Sequence, residues 1–214
     1  VLALLLCVAI LATVTPLFAA SESARYLAYN SSTGLVDAER EVTDVNVIDE
    51  ATDSFVTGWN IVKGDVEIET RITLPENVYL ILANGATLTA DRGIVVAGDG
   101  NFLIYAQSND ADTMGKLIVP VADYGYAGIG SAESSGCGDI VIFGGDITVT
   151  GGELAAGIGS GNMGDCGTIT IYGGIVTATN GENGAGIGGG LMSDCGDIVI
   201  YGGTVTATSN QNAA

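Results

Sequence analysis

The chain has 214 residues, of which 33 are glycine and none is histidine. An aromatic share of 6% is too small for a core of large side chains, so close stacking of small residues has to supply the packing. The 25 acidic residues against 6 basic ones give a net charge of -19, with no basic residue beyond Lys116. Nucleic acid and anionic membrane are excluded as partners of such a surface.

Val1 to Ala20 is an uncharged apolar run ending in small residues, and reads as the hydrophobic part of a secretory signal peptide. Its positively charged start and an initiator methionine are missing. The sequence is therefore expected to be truncated at the N-terminus, with cleavage near Ala20; an uncleaved anchor is the alternative. Leu4, Leu5 and Leu6 precede Cys7 where a lipoprotein cysteine needs a small residue, so no lipid anchor is expected.

Residues 21–57 are polar and acidic, and are expected to form an N-terminal cap or linker of short strands and loops over the first turn. From Trp59 the pattern changes to short β-branched runs closed by Gly, Asn, Asp or Pro. Residues 58–126 read as degenerate turns of a solenoid, with Leu82 and Tyr105 in similar places. Ser108 to Gly115 carries no apolar pattern and reads as a surface loop.

Residues 127–214 hold three tandem copies of a 29-residue repeat, Ala127 to Ala155, Ala156 to Gly184 and Ala185 to Ala213. Ala-Gly-Ile-Gly opens each copy, and Cys137, Cys166 and Cys195 occupy one repeat position. A fixed period in this range marks a solenoid whose units bury their apolar faces only against neighbours. The period of two within each copy points Ile169, Ile171, Val176, Ala178, Ala156 and Ile158 inward. It turns Thr168, Thr170, Ile175, Thr177, Thr179, Gly157 and Gly159 outward. Three short strands and the bends between them make one triangular turn. No helical stripe is available to cover a flat parallel sheet, so the chain must coil on itself, and crossovers of this kind are right-handed. The fold class is thus all-β, a right-handed single-stranded parallel β-helix. The sequence stops on the first residue of a fourth repeat, and the array is expected to continue beyond it.

The ordered series Gly58-Trp59-Asn60-Ile61-Val62, Arg71-Ile72-Thr73-Leu74, Val78 to Leu88 and Leu103 to Gln107, followed by the AGIG-CG-ITIYGG-VTAT repeats, resembles a known family. It is similar to the parallel β-helix surface proteins of gut Firmicutes and related bacteria, often labelled carbohydrate-binding or adhesin-like. The resemblance implies a secreted or cell-surface bacterial protein with a polysaccharide or a host or cell-surface glycan as partner. It also implies a β-helix similar to that of polysaccharide lyases.

Several positions could carry function. Catalysis is the least expected: without histidine the commonest general base, Ser-His triads and most zinc sites are gone. Arg71 and Arg92 are the candidates for a lyase base nearest the strands, and neither lies beside an acidic cluster in the sequence, so no catalytic residue is assigned. A lyase-like, polysaccharide-active domain is the alternative reading. Ca2+ is the one cofactor for which oxygen ligands recur, at Asp139, Asp165, Asp194 and Asp197, although a plain solvated acidic face explains them as well. Thr148, Thr150, Thr177, Thr179, Thr206 and Thr208 form two outward columns, with Thr87 and Thr89 as their extension. These are a structural ladder, with ice binding as a lower-ranked alternative. The outward glycines would leave a strip of bare backbone for a sugar ring, bordered by Asn162, Asn180, Asn183, Tyr172 and Tyr201; tight coiling is the plainer reason for those glycines. The cysteines read as a ladder of small buried thiols that lie close enough to bridge.

Overall fold

The computed structural model describes residues 22–50 and 53–210. The signal-like segment lies outside these residues. The described chain is a parallel β-helix with three principal faces and a hairpin laid along the outside of one of them.

The hairpin comes first. Strands β1 (Glu22–Asn30) and β2 (Leu35–Ile48) pair antiparallel. Asn30 organises their turn: its carbonyl accepts from the amides of Thr33 and Gly34, and its side chain accepts from Ser32 N at 3.0 Å. Gly34 closes the turn with φ 71, a left-handed conformation that suits glycine. The far end of β2 joins the solenoid, where Asn46, Val47 and Ile48 pair in parallel with Asn60, Ile61 and Val62 of β3 (Gly58–Val62).

The face containing β3 continues through Val78–Leu82, Phe102–Ala106, Ile140–Ile142, Ile169–Ile171 and Ile198–Ile200, all parallel and in register. A second, threonine-bearing face is the 6-stranded sheet from Asp65–Ile68 to Thr204–Thr208. A third, glycine-bearing face runs from Ile72–Leu74 to Ile187–Gly188. Partners on the last three turns are 29 residues apart, as in Ile140, Ile169 and Ile198. Inside lies one continuous core of Ile, Val, Leu and Ala with Phe102 at its largest point; Ile169, Ile171, Val176, Ala178 and Ile158 are all fully buried. Each side chain there lies over its equivalent in the next turn, so small aliphatic residues fill the space without large aromatics.

The expected cap of short strands is replaced by the long hairpin. What closes the first turn is smaller: Phe55 packs on the end of the core, and Asn60, fully buried, fills its polar capacity. Its amide donates to Val56 O at 2.8 Å and Gly58 O at 2.9 Å, and its Oδ1 accepts from Val56 N and Asn46 Nδ2, each at 3.0 Å. Ser108 to Gly115 is not purely a surface loop, since Met114 is buried and a Cβ on Gly115 would lie 2.4 Å from Ala83 O. The partner of Tyr105 is Ile81, with Leu82 opposite Ala106, one position away from the sequence-based pairing.

The glycines Gly157 and Gly159 do not face solvent. A Cβ on Gly157 would sit 2.6 Å from Gly186 O, and one on Gly159 (φ +134) only 2.0 Å from Gly188 O. Their outer side is the backbone of the next turn, so a side chain is excluded by contact at both positions and by conformation as well at Gly159.

Candidate functional site

The outward side of the β3 face carries two in-register columns. One contains Trp59, Tyr79, Leu103, Val141, Thr170 and Val199; the other contains Ile61, Ile81 and Tyr105, continued by Phe143, Tyr172 and Tyr201. The rings of the second column stack nearly parallel: Tyr105 on Phe143 at 4.6 Å and 5°, Phe143 on Tyr172 at 4.9 Å and 3°, Tyr172 on Tyr201 at 4.9 Å and 8°. Parallel strands impose this spacing, because identical positions on adjacent turns are one strand separation apart.

The hairpin lies across these columns. Tyr26 packs on Trp59 at 4.7 Å and on Tyr105 at 4.8 Å, while Tyr29 reaches Tyr172 at 4.5 Å and Tyr201 at 6.2 Å. Ala24 and Val45 of the hairpin close over Ile61, Ile81 and Tyr105, forming a second apolar core outside the coil. Side chains from the coil bind the hairpin backbone: Gln107 Nε2 donates to Arg25 O at 3.1 Å, and Asn109 Nδ2 donates to Val36 O. Burial, followed by the neighbouring Tyr26 and Tyr79, pushes the Tyr105 phenol well above its ordinary value. The Tyr172 phenol is also raised, by burial first and then by Tyr201 and Tyr29.

Where the hairpin tip overhangs the last two described turns, a groove of about 440 Å3 opens between Gly34 to Asp37, the residues Asn109, Ala111 and Met114, and Tyr172 and Tyr201 with the glycine pairs that follow them. Tyr201 is 59% exposed on its rim, and Leu35 is 60% exposed on the opposite one. Paired glycines keep the floor low, as at Gly173, where a Cβ would already be 3.4 Å from Val36. The groove therefore sets the rims of the stacked Tyr172 and Tyr201 rings beside a polar backbone floor.

The other sequence-selected positions divide. Tyr172 and Tyr201 are on this face, not beside the glycine strip. Asn162 and Asn180 are unavailable to a glycan: Asn162 is 6% exposed and donates to Glu133 Oε1 at 3.1 Å. Asn180 is fully buried, donates to Gly184 O and accepts from Asn210 N at 2.6 Å, so both asparagines brace bends. Asn183 is half-buried and occupies a left-handed bend position at φ 54.

Among the carboxylates, Asp165 Oδ1 accepts from Asp194 N at 3.3 Å and Asp139 Oδ1 from Thr168 N at 2.7 Å. They tie one turn to the next. Asp197 is exposed in the following turn, two repeats from Asp139. Among the described residues no group of three or more acidic, Cys or His side chains converges as a metal-binding set. Thr148, Thr177 and Thr206 are in register, as are Thr150, Thr179 and Thr208. Thr89 is separated from the first column by Ile118, and Thr87 belongs to the column of Lys116 and Asp146.

Arg71 and Arg92, separated from acidic clusters in the sequence, converge on one carboxylate. Arg71 Nη2 binds Asp123 Oδ2, Arg92 Nη1 binds Asp123 Oδ1 at 2.9 Å, and the Arg71 guanidinium lies 3.4 Å over the Tyr126 ring. Three successive turns are clamped at this corner. Asp123 is invisible to sequence reasoning as a partner because it is 52 residues from Arg71. The aromatic columns were also missed, although the recurrence of Tyr or Phe just before each Gly-Gly pair, at Phe143, Tyr172 and Tyr201, was a signal that could have found the second one.

A family model described as a beta helix repeat matches residues 140–162, 169–191 and 198–214. No curated protein and no solved structure matches the chain. Each matched segment opens on the inward Ile that starts a strand of the hairpin-covered face, Ile140, Ile169 or Ile198, so the repeat unit and the coil coincide. The chain has a parallel β-helix fold, and these three segments are similar to the beta helix repeat.

Proposed function

We propose that this chain is an extracellular, cell-surface β-helix module, adhesin-like and non-enzymatic, that holds glycan chains against the stacked tyrosines under its hairpin tip. The observation that carries the reading is the groove beside Tyr172 and Tyr201, with a part-exposed aromatic wall and a glycine floor. The net charge of -19 favours neutral glycans over polyuronates, which like-charge repulsion would keep away.

Retention on insoluble neutral polysaccharides, together with assays for reducing ends and unsaturated sugars, tests it. Retention without product is expected, and Tyr201→Ala should weaken it about tenfold, the loss of about 1.4 kcal/mol of stacking. Release of unsaturated sugar would instead establish the lyase-like alternative. Equal retention of Tyr201→Ala and the parent chain would remove the groove as the binding surface.

A further inference from the structure

Tyr26 and Tyr29 of the hairpin both touch the coil, although residues three apart on a regular strand point to opposite sides. A β-bulge makes this possible. Ala28 pairs with Ala38 and Tyr29 with Val36, so Asp37 is an extra residue, and the added local twist turns the end of β1 onto the aromatic column. Tyr29 thereby rests on Tyr172, with ring centroids 4.5 Å apart and planes tilted by 41°. Both residues are half-buried, so each ring has a packed side and an edge that meets water. Tyr172 is held from both sides within its own column, by Phe143 and by Tyr201, each at 4.9 Å.

We propose that Tyr29 and Tyr172 are an oxidative cross-linking site, joined through their ortho ring carbons as a dityrosine that fastens the hairpin to the coil. The co-reactants are hydrogen peroxide and a haem peroxidase, which removes one electron at a time. Each phenol gives up one electron and its hydroxyl proton, leaving two neutral phenoxyl radicals. Their unpaired electrons form one carbon–carbon bond between the ortho positions. Each bonded carbon then loses its hydrogen as a proton while the oxygen of the same ring takes one up, which restores both aromatic rings and both hydroxyls. The protein has lost two hydrogens, and one peroxide has become two waters.

Among the described tyrosine contacts, geometry singles out this pair. A bond between ortho carbons lies in the plane of both rings, so rings lying face to face must swing out of their stack before they join. Tyr172 and Tyr201 are in that position, at 8° on adjacent turns whose backbones are tied by hydrogen bonds. Tyr26 and Tyr105 meet edge-on at 67°, but Tyr105 is buried in the apolar core under the hairpin, where no water is at hand for the proton that oxidation releases. Tyr29 and Tyr201 are farther apart, at 6.2 Å. The tilted, water-edged contact of Tyr29 with Tyr172 needs neither a broken stack nor a buried proton. Its bond would close a long loop between the hairpin and the coil and so restrict the unfolded chain.

The folded full chain, diluted so that separate molecules do not meet during the reaction, is treated with a haem peroxidase and hydrogen peroxide. Dityrosine fluorescence is read, and linked peptides are then mapped by mass. A Tyr29–Tyr172 link within single chains is expected as the main dityrosine, and its loss in both Tyr29→Phe and Tyr172→Phe. These variants keep the ring packing and remove only the hydroxyl, so a missing link in them reports the chemistry and not a failure to fold. The link should also be lost when the parent chain is oxidised in urea, where the contact is gone. Undiminished fluorescence in Tyr29→Phe, a main link at Tyr172–Tyr201 or Tyr26–Tyr105, dityrosine confined to covalent dimers, or an equal yield of the link in urea would each overturn the proposal. No glycan enters the measurement, so its outcome is independent of the groove.

Discussion

At the residue scale, the bends of this coil recur with their backbone strain as well as their sequence. Ser134, Met163 and Met192 stand one repeat apart and all have left-handed backbones, at φ 54, 53 and 53; Leu154 and Asn183 form a second such pair at 68 and 54. Neither Met side chain is needed where it stands, since Met163 is 52% and Met192 80% exposed. A left-handed conformation costs an ordinary L-residue about 1–2 kcal/mol, which glycine avoids at some loss of chain entropy on folding. Met163→Gly and Met192→Gly are therefore expected to stabilise the fold by about 0.5–1 kcal/mol each, measured as a higher denaturation midpoint in urea with an unchanged slope. Lower midpoints would mean that the methionines contribute packing that their exposure does not reveal.

At the element scale, the hairpin is held by aromatic packing that depends on protonated phenols. Tyr105 and Tyr172 both have raised values in the folded chain, so each contributes stability fully present below the ordinary tyrosine value of about 10. That contribution is lost as pH rises through the raised folded values, because the unfolded phenols ionise first. Above about pH 10 the hairpin should release from the coil, seen as tyrosinate absorbance rising together with protease cleavage at Ser31 to Gly34. Tyr105→Phe should move that transition to higher pH while leaving the neutral-pH fold intact; an unmoved transition would place the alkaline weak point elsewhere. The inner faces of the coil were legible in the sequence because alternation and the 29-residue period both survive in Ile169, Ile171, Val176 and Ala178. The hairpin was not legible. Its Tyr26 and Tyr29 meet Trp59, Tyr105, Tyr172 and Tyr201 across long sequence separations, and nothing local in a polar, acidic segment announces that its alternate residues cover an outer surface. Asn162 and Asn180 were misassigned for a related reason: a bend asparagine that saturates backbone groups and one that faces solvent have the same sequence context.

For the whole molecule, stacking identical units also stacks their charges. Residues 127–210 contain no basic side chain, yet carry Glu133, Asp139, Asp146, Glu153, Asp165, Glu182, Asp194 and Asp197. Asp165 and Asp194 occupy the same position on consecutive turns, bridged only by the backbone amide of Asp194. Two like charges about 5 Å apart repel by about 0.8 kcal/mol in water, and a screening length that falls from about 30 Å at 0.01 M salt to about 3 Å at 1 M removes most of that interaction. The coil gathers more of this repulsion than the unfolded chain, where the repeats drift apart, so added salt should stabilise the native state. Raising NaCl from about 0.01 M to about 1 M is expected to lift the melting temperature by roughly 3 °C or more, the shift that about 1 kcal/mol produces in a chain of this size. The same rise with KCl would identify screening as its cause. CaCl2 at matched ionic strength separates screening from ligation: a saturable extra increase at low Ca2+ would mean that Asp139, Asp165, Asp194 or Asp197 binds the ion, whereas coincidence with the NaCl curve would assign those carboxylates to their backbone amides and the solvated face. A melting temperature that falls with salt would contradict the repulsion argument itself, and would put the stabilising electrostatics in the three-turn clamp of Arg71, Arg92 and Asp123.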